Sequence, residues 1–158
     1  MAGYQLTYNV DMVFCIDSTG SMRHVLDFVK QNALNLYQDI TREMEKKHKT
    51  IHQLRVKVIA FRDYIADGEE AMLSSDFFTL PEQAEMLRDC VEGIHAKGGG
   101  DIPEDGLEAL AYAIRSDWTR EGVKKRHIIV VWSDAPTHEL GHGKIAPWYP
   151  EGMAQDFD

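Results

Sequence analysis

Cysteine is scarce in this chain: Cys15 and Cys90 are the two thiols in 158 residues. Two cysteines make no disulfide framework, and both lie inside apolar patterns with no sign of activation. That sets aside a stapled secreted fold and a thiol nucleophile, and a reducing, cytoplasmic compartment is the expectation. Long apolar runs are missing too. None approaches the roughly 20 residues of a membrane span. The opening MAGYQLTYNVD has neither the basic start nor the apolar middle of a signal peptide, so no membrane is expected as a partner. Basic charge is in deficit, with 17 Lys and Arg against 26 Asp and Glu and a formal net charge of −9. Such a field repels a phosphate backbone and disfavours nucleic acid as a partner. The short runs KKHK (46–49) and KKR (124–126) read as solvated helix ends or loops.

What is present suits one globular domain over residues 1–158, with 44% hydrophobic residues and no repeat or linker. VDMVFCI (10–16) is short, apolar and rich in strand formers, and reads as a buried strand. From Met22 the period changes: Val25, Leu26, Val29, Ala33, Leu36, Tyr37, Ile40 and Met44 recur at three and four, predicting one long helix with a single apolar stripe. LRVKVIAF (54–61) is a second strand, RDYIADGEE a loop, and SDFFTL (75–80) a short strand. Pro81 then opens a helix whose stripe is Ala84, Leu87, Val91 and Ile94. After the glycine-rich AKGGGDIP (96–103), Pro103, Glu104 and Asp105 suit a first helical turn, continued by Leu107, Leu110, Ala111 and Ile114. HIIVVWS (127–133) is a third apolar strand. The alternation predicts an α/β fold: a mostly parallel central sheet with helices on both faces.

In such sheets ligands bind at the carboxyl ends of the strands. Asp17, Thr19 and Ser21 leave the first strand there, Asp134 leaves the third, and the loop carrying Asp101 can reach the same edge. All five are hard oxygen donors, with no imidazole or thiolate among them. That set suits a small hard cation, Mg²⁺ first, with Mn²⁺ or Ca²⁺ as substitutes. The alternation at 17, 19 and 21 points three side chains one way, and Gly20 permits the turn. Taken singly, Ser21 and Asp101 also suit helix N-caps.

DSTGSM (17–22) resembles the metal-ion-dependent adhesion site of von Willebrand factor type A domains, in which Asp-x-Ser-x-Ser is followed by a distant Thr and a distant Asp. Asp17 and Ser21 fit that pattern, Thr19 replaces a serine and keeps its hydroxyl, and Asp134 fits the last aspartate. Asp101 stands where threonine is usual, and GGGDIPED resembles a subset of intracellular and bacterial members. The likeness runs from about Val10 to Pro136. It implies a Rossmann-like three-layer α/β sandwich and a non-enzymatic module, whose metal binds a protein partner through an acidic side chain. Three carboxylates would exceed the charge of a divalent ion, so at least one is expected to bind through water. The family continues with further strand–helix units, so the stop at MAQDFD reads as a shortened version or a fragment. The 127–133 strand is then a sheet edge that invites homodimer formation.

Two enzyme readings compete. HELGH (138–142) matches the zinc-protease H-E-x-x-H, but Pro136, Gly141 and Gly143 disfavour the helix that motif needs, so a loop on the rim of the metal site is expected. A Mg²⁺-dependent phosphatase with Asp17 as nucleophile needs a second acid at position 19, where the chain has Thr19. Arg62 is a candidate either for steering an anionic partner at the rim or for pairing with the neighbours of Asp63.

Overall fold

The computed structural model describes residues 6–98 and 103–158. Strand β1 (Leu6–Asp17) is central. Helix α1 spans Leu26–Lys46 and returns the chain to β2 (Lys49–Phe61), which pairs parallel to β1. A one-turn helix α2 (Tyr64–Asp67) leads to β3 (Met72–Ser74) and β4 (Phe78–Leu80), both antiparallel to β2. Helices α3 (Ala84–Glu92) and α4 (Gly106–Ile114) precede β5 (Lys125–Trp132), which lies parallel to β1 on its other side. The order along the sheet is β3-β2-β1-β5, with β4 also on β2.

The period of two along a strand sends alternate residues of β1 to opposite faces. Val10, Met12, Phe14 and Ile16 join Leu54, Val56, Val58 and Ala60 in one core, with Leu26, Val29 and Ala33 of α1 and Leu87 and Val91 of α3. Val13 and Cys15 join Ile59, Phe61 and, from α4, Ala109 and Ala113 in a second core. A strand buried on both faces must be apolar at nearly every position, which is why VDMVFCI is so uniform. Asp11 is its exception. It is 1% exposed and takes a two-pronged bond from Arg55, Nε to Oδ1 at 2.9 Å and Nη2 to Oδ2 at 2.8 Å, with the Thr119 amide on Oδ2 at 2.6 Å. Burial pushes this carboxyl up, but the bonds from Arg55 and Thr119 outweigh it, and the net displacement is below the usual range. Burial likewise pushes the Cys15 thiol up to about 12, the state of an inert core thiol.

The predicted elements are present, with shifted bounds. The long helix begins at Leu26, because Gly20–Met22 first form a tighter turn, with Met22 N donating to Thr19 O at 3.0 Å and Arg23 N to Gly20 O at 3.1 Å. The second strand starts at Lys49, directly after His48 makes the reversal at φ 57°. RDYIADGEE is not an open loop: Asp63 caps α2, and Gly68–Ala71 add a second short turn. Glu104 and Asp105 are not helical. Glu104 forms an isolated parallel bridge to Thr137, and α4 starts at Gly106. Among the described residues β5 pairs with β1 alone, so its other edge is open and Val131 is 48% exposed. No described helix is long and apolar enough to cross a membrane.

Register is what positions the functional edge. Asp17 lies opposite Phe61 and Ile16 opposite Trp132, so the three parallel strands end level with one another. Asp17, the Arg62–Asp63 pair and the Ser133–Asp134 pair therefore emerge at one rim.

Candidate functional site

Asp17 is the last residue of β1 and fully buried. Its Oδ1 accepts from the Thr19 amide at 3.0 Å and the Thr19 hydroxyl at 2.7 Å, and its Oδ2 from the Ser133 hydroxyl at 2.9 Å. The hydroxyls of Thr19 and Ser21 are 3.2 Å apart, and Ser21 donates to Asp134 Oδ1 at 3.3 Å. Asp17, Thr19, Ser21 and Asp134 thus form one continuous oxygen chain joining the ends of β1 and β5. Thr19 is buried, whereas Ser21 and Asp134 are exposed, so the chain opens to solvent at one end. Asp101 lies outside the described residues.

The protons in this chain can be counted. Each hydroxyl has one. Thr19 directs its proton to Asp17. Ser21 can serve either Asp134 at 3.3 Å or Thr19 across the 3.2 Å hydroxyl contact. Oxygens at adjacent positions around Mg²⁺, each about 2.1 Å from the ion, stand roughly 3 Å apart. The contacts here run from 2.7 to 3.3 Å. The donor set fits a hard divalent ion.

Backbone bonds hold the loops in place. Ser18 N donates to Phe61 O at 3.0 Å and Lys97 N to Ser18 O at 3.0 Å, while Gly20 N donates to Gly98 O at 3.2 Å. These bonds dock the segment entering the glycine-rich loop against the loop that follows β1. Gly98 has φ +73°, and a Cβ there would stand 1.8 Å from Asp67 Oδ1, so the close approach requires glycine. Arg62 does not steer partners from the rim. It is 3% exposed and spends its guanidinium on three carbonyls: Ser18 at 3.1 Å, Glu70 at 2.7 Å and His95 at 2.7 Å. Its role is to tie three loops together beneath the site.

A second cluster lies at the same rim. His138 Nδ1 is 2.9 Å from Asp105 Oδ1 and 3.9 Å from Asp63 Oδ2, and all three residues are buried. The sequence marked His138 only through HELGH and Asp63 only as a strand-end residue, and it read Asp105 as part of a helical turn. HELGH itself runs through turns. His138 is buried and His142 exposed, their rings stacked at 3.9 Å, so the helix on which a zinc protease presents both histidines is absent. Sequence reading also missed Ser133, whose hydroxyl braces Asp17, and Glu108. Fully buried Glu108 takes the Gly141 amide at 2.7 Å and the Tyr149 hydroxyl at 3.1 Å, and burial raises its carboxyl above the usual range. An acid in the middle of a helical stripe gives no sign of being inside until the segment that covers it is placed. The groove lined by Tyr37, Thr41, Ile51, Leu54, Leu80 and Pro81 lies toward the opposite, amino end of β2 and has no part in this chemistry.

No family model matches the chain. It is 27% identical over 138 residues to an ariadne-like RING finger protein of Acanthamoeba polyphaga mimivirus, a match covering 85% of this chain and 12% of that protein. It is 25% identical over 143 residues to the alpha-protein kinase vwkA of Dictyostelium discoideum, covering 90% of this chain and 21% of the kinase. The chain thus spans a minor part of the length of either relative. Among solved structures, the pilus adhesin SpaC of Lactobacillus rhamnosus GG superposes with a TM-score of 0.54 at 18% identity, over 81% of this chain and 16% of the adhesin. At that identity the likeness is one of fold: a mixed α/β arrangement around a mostly parallel sheet.

Proposed function

We propose that this chain is a metal-dependent protein-binding module of the von Willebrand factor type A kind, a Rossmann-like three-layer sandwich that performs no catalysis of its own. Asp17, Thr19, Ser21 and Asp134, with Asp101 from the adjoining loop, hold one divalent ion, Mg²⁺ before Mn²⁺ or Ca²⁺. When bound, the ion supplies an electrophilic position to which a partner's carboxylate adds its oxygen. Asp17 anchors the site from the buried end of β1, and Ser133 and the Thr19 amide fix its carboxylate. Neutral Thr19 and Ser21 contribute oxygens without cancelling the ion's charge. Asp134 stands at the solvent side, where a partner enters.

The observation that carries this reading is the continuous Asp17–Thr19–Ser21–Asp134 chain of oxygens that joins the ends of β1 and β5. The comparisons lend support of another sort. Segments like this one occur within a RING finger protein, a protein kinase and a pilus adhesin. A segment reused beside such different named activities suits recognition better than any one chemistry. The two free thiols accord with a cytoplasmic setting.

Calorimetric titration with Mg²⁺, and with Mn²⁺ followed by anomalous scattering from a soaked crystal, tests the site. One equivalent at the Asp17–Asp134 edge is expected, and Asp17→Ala abolishes it. Unchanged Mg²⁺ uptake in Asp17→Ala would overturn the reading. Partner capture is expected to be reversed by a chelator and by Asp134→Ala.

A further inference from the structure

We propose that Asp63, Asp105 and His138 form a second and separate metal site, one that takes a borderline transition ion, Zn²⁺ in preference to Mg²⁺. The inference stands independently of the open oxygen site. Three distant parts of the chain supply the ligands: the exit of β2, the residue before α4 and the segment after β5. One ligand atom from each lies within 4.8 Å of the other two, and the residues are 3%, 0% and 6% exposed.

The carboxylates are already aimed. Asp63 Oδ1 accepts from the amides of Ile65 at 2.8 Å and Ala66 at 3.1 Å, and its Oδ2 is the oxygen 3.9 Å from His138 Nδ1. Asp105 Oδ2 is occupied by the Tyr64 amide at 2.6 Å, leaving Oδ1 toward Nδ1. Backbone donors thus orient both carboxylates before any ion arrives, the arrangement that tunes metal ligands from behind. A tetrahedral Zn²⁺ with bonds near 2.0 Å sets its ligands roughly 3.3 Å apart. The measured separations from Nδ1, 2.9 and 3.9 Å, lie on either side of that value, and shifts of about half an ångström reach it. Charge agrees as well. Two carboxylates and a neutral imidazole carry −2, which one divalent ion cancels in a place where uncompensated charge is costly. The imidazole decides the class of ion, because Mg²⁺ and Ca²⁺ favour all-oxygen shells whereas a nitrogen with two carboxylates suits Zn²⁺. His142 is not required: its ring is exposed and stacked on His138.

The competing arrangement is a metal-free triad in which a protonated His138 sits between two carboxylates. Chelator-stripped full-length chain, loaded with Zn²⁺ in millimolar Mg²⁺ and measured by mass spectrometry of metal content, separates the two. One retained equivalent of Zn²⁺ is expected. Asp63→Asn and Asp105→Asn are expected to weaken it by about 100-fold or more, beyond the loss that even supporting partners of a ligand cause. Asp17→Ala is expected to leave it in place. Co²⁺ substitution gives a second readout, a visible ligand-field band that disappears in Asp63→Asn. Circular dichroism checks folding, and should Asp105→Asn not fold, Asp63→Asn, which keeps its capping oxygen, decides alone. A folded wild-type chain that retains no Zn²⁺ would overturn the proposal. So would Zn²⁺ retained equally by both Asn variants, or lost in Asp17→Ala but not in Asp63→Asn.

Discussion

The two clusters at the rim of the sheet use the same residue, aspartate, in opposite surroundings. In the Asp17–Thr19–Ser21–Asp134 chain the carboxylates are joined by neutral hydroxyls, and one end faces water. In the Asp63–Asp105–His138 cluster the carboxylates meet an imidazole, and every member is buried. An open site can exchange one of its ligands for an oxygen from another molecule. A closed one is built into the packing, so its members serve the fold whether or not an ion is present. The same chemical group thus faces solvent at the end of one cluster and lies within the packing of the other.

Asp105→Ala tests the difference most severely. Removing it takes from the Tyr64 amide its 2.6 Å acceptor and from the His138 ring its 2.9 Å carboxylate partner. Loss of one partner of a buried charged group costs about 3–5 kcal/mol, seen as a large drop in the urea midpoint. The matching change in the open cluster, Asp134→Ala, should shift stability by no more than about 0.5 kcal/mol while abolishing Mg²⁺ uptake. If the two variants were equally destabilised, the division between the clusters would fail. Thr19→Val lies between them. It removes the proton given to Asp17 at 2.7 Å and one candidate ligand. The expected cost is about 1 kcal/mol together with at least a tenfold weaker Mg²⁺ affinity by calorimetry.

Glu108 sharpens the contrast through pH. It ties the segment that follows His138 to α4, and its carboxyl is raised by burial, then by the nearby Asp105 carboxylate. Between the unfolded value and this raised one, the native state holds the proton that the unfolded chain releases. Stability therefore falls as pH rises through that window. The slope of unfolding free energy against pH should be less negative in Glu108→Gln, as read from urea denaturation at a series of pH values. The smallest effect belongs to His142→Ala. Its ring is exposed, so a change within about 0.5 kcal/mol and unaltered metal content are expected. Loss of zinc in that variant would return attention to H-E-x-x-H.

The open cluster was legible in the chain because its members carry local marks. Asp17 ends an apolar run, Thr19 and Ser21 follow at a spacing of two, and Asp134 ends another apolar run. Strand ends of a parallel sheet collect at one edge, so finding the ends nearly finds the cluster. The closed cluster lacks such marks. Asp63 follows an arginine in a polar stretch, Asp105 looks like an ordinary first-turn acid, and His138 sat inside a misleading five-residue match. The sequence left Arg62 open for the same reason: whether a charged residue after a strand faces solvent or pairs locally is undecided until three carbonyls from three loops are found around it.

By itself the sequence determined the α/β alternation, the doubly buried β1 and the oxygen donors at its end, because period and residue type are local properties that burial imposes on each segment separately. Only the tertiary structure decided which helix covers which face, that β3 and β4 run antiparallel on β2, and that Asp63, Asp105 and His138 come together as one buried cluster. Those facts depend on strand register and on loops crossing one another. Contacts between segments 33 to 75 residues apart leave no period behind to be read.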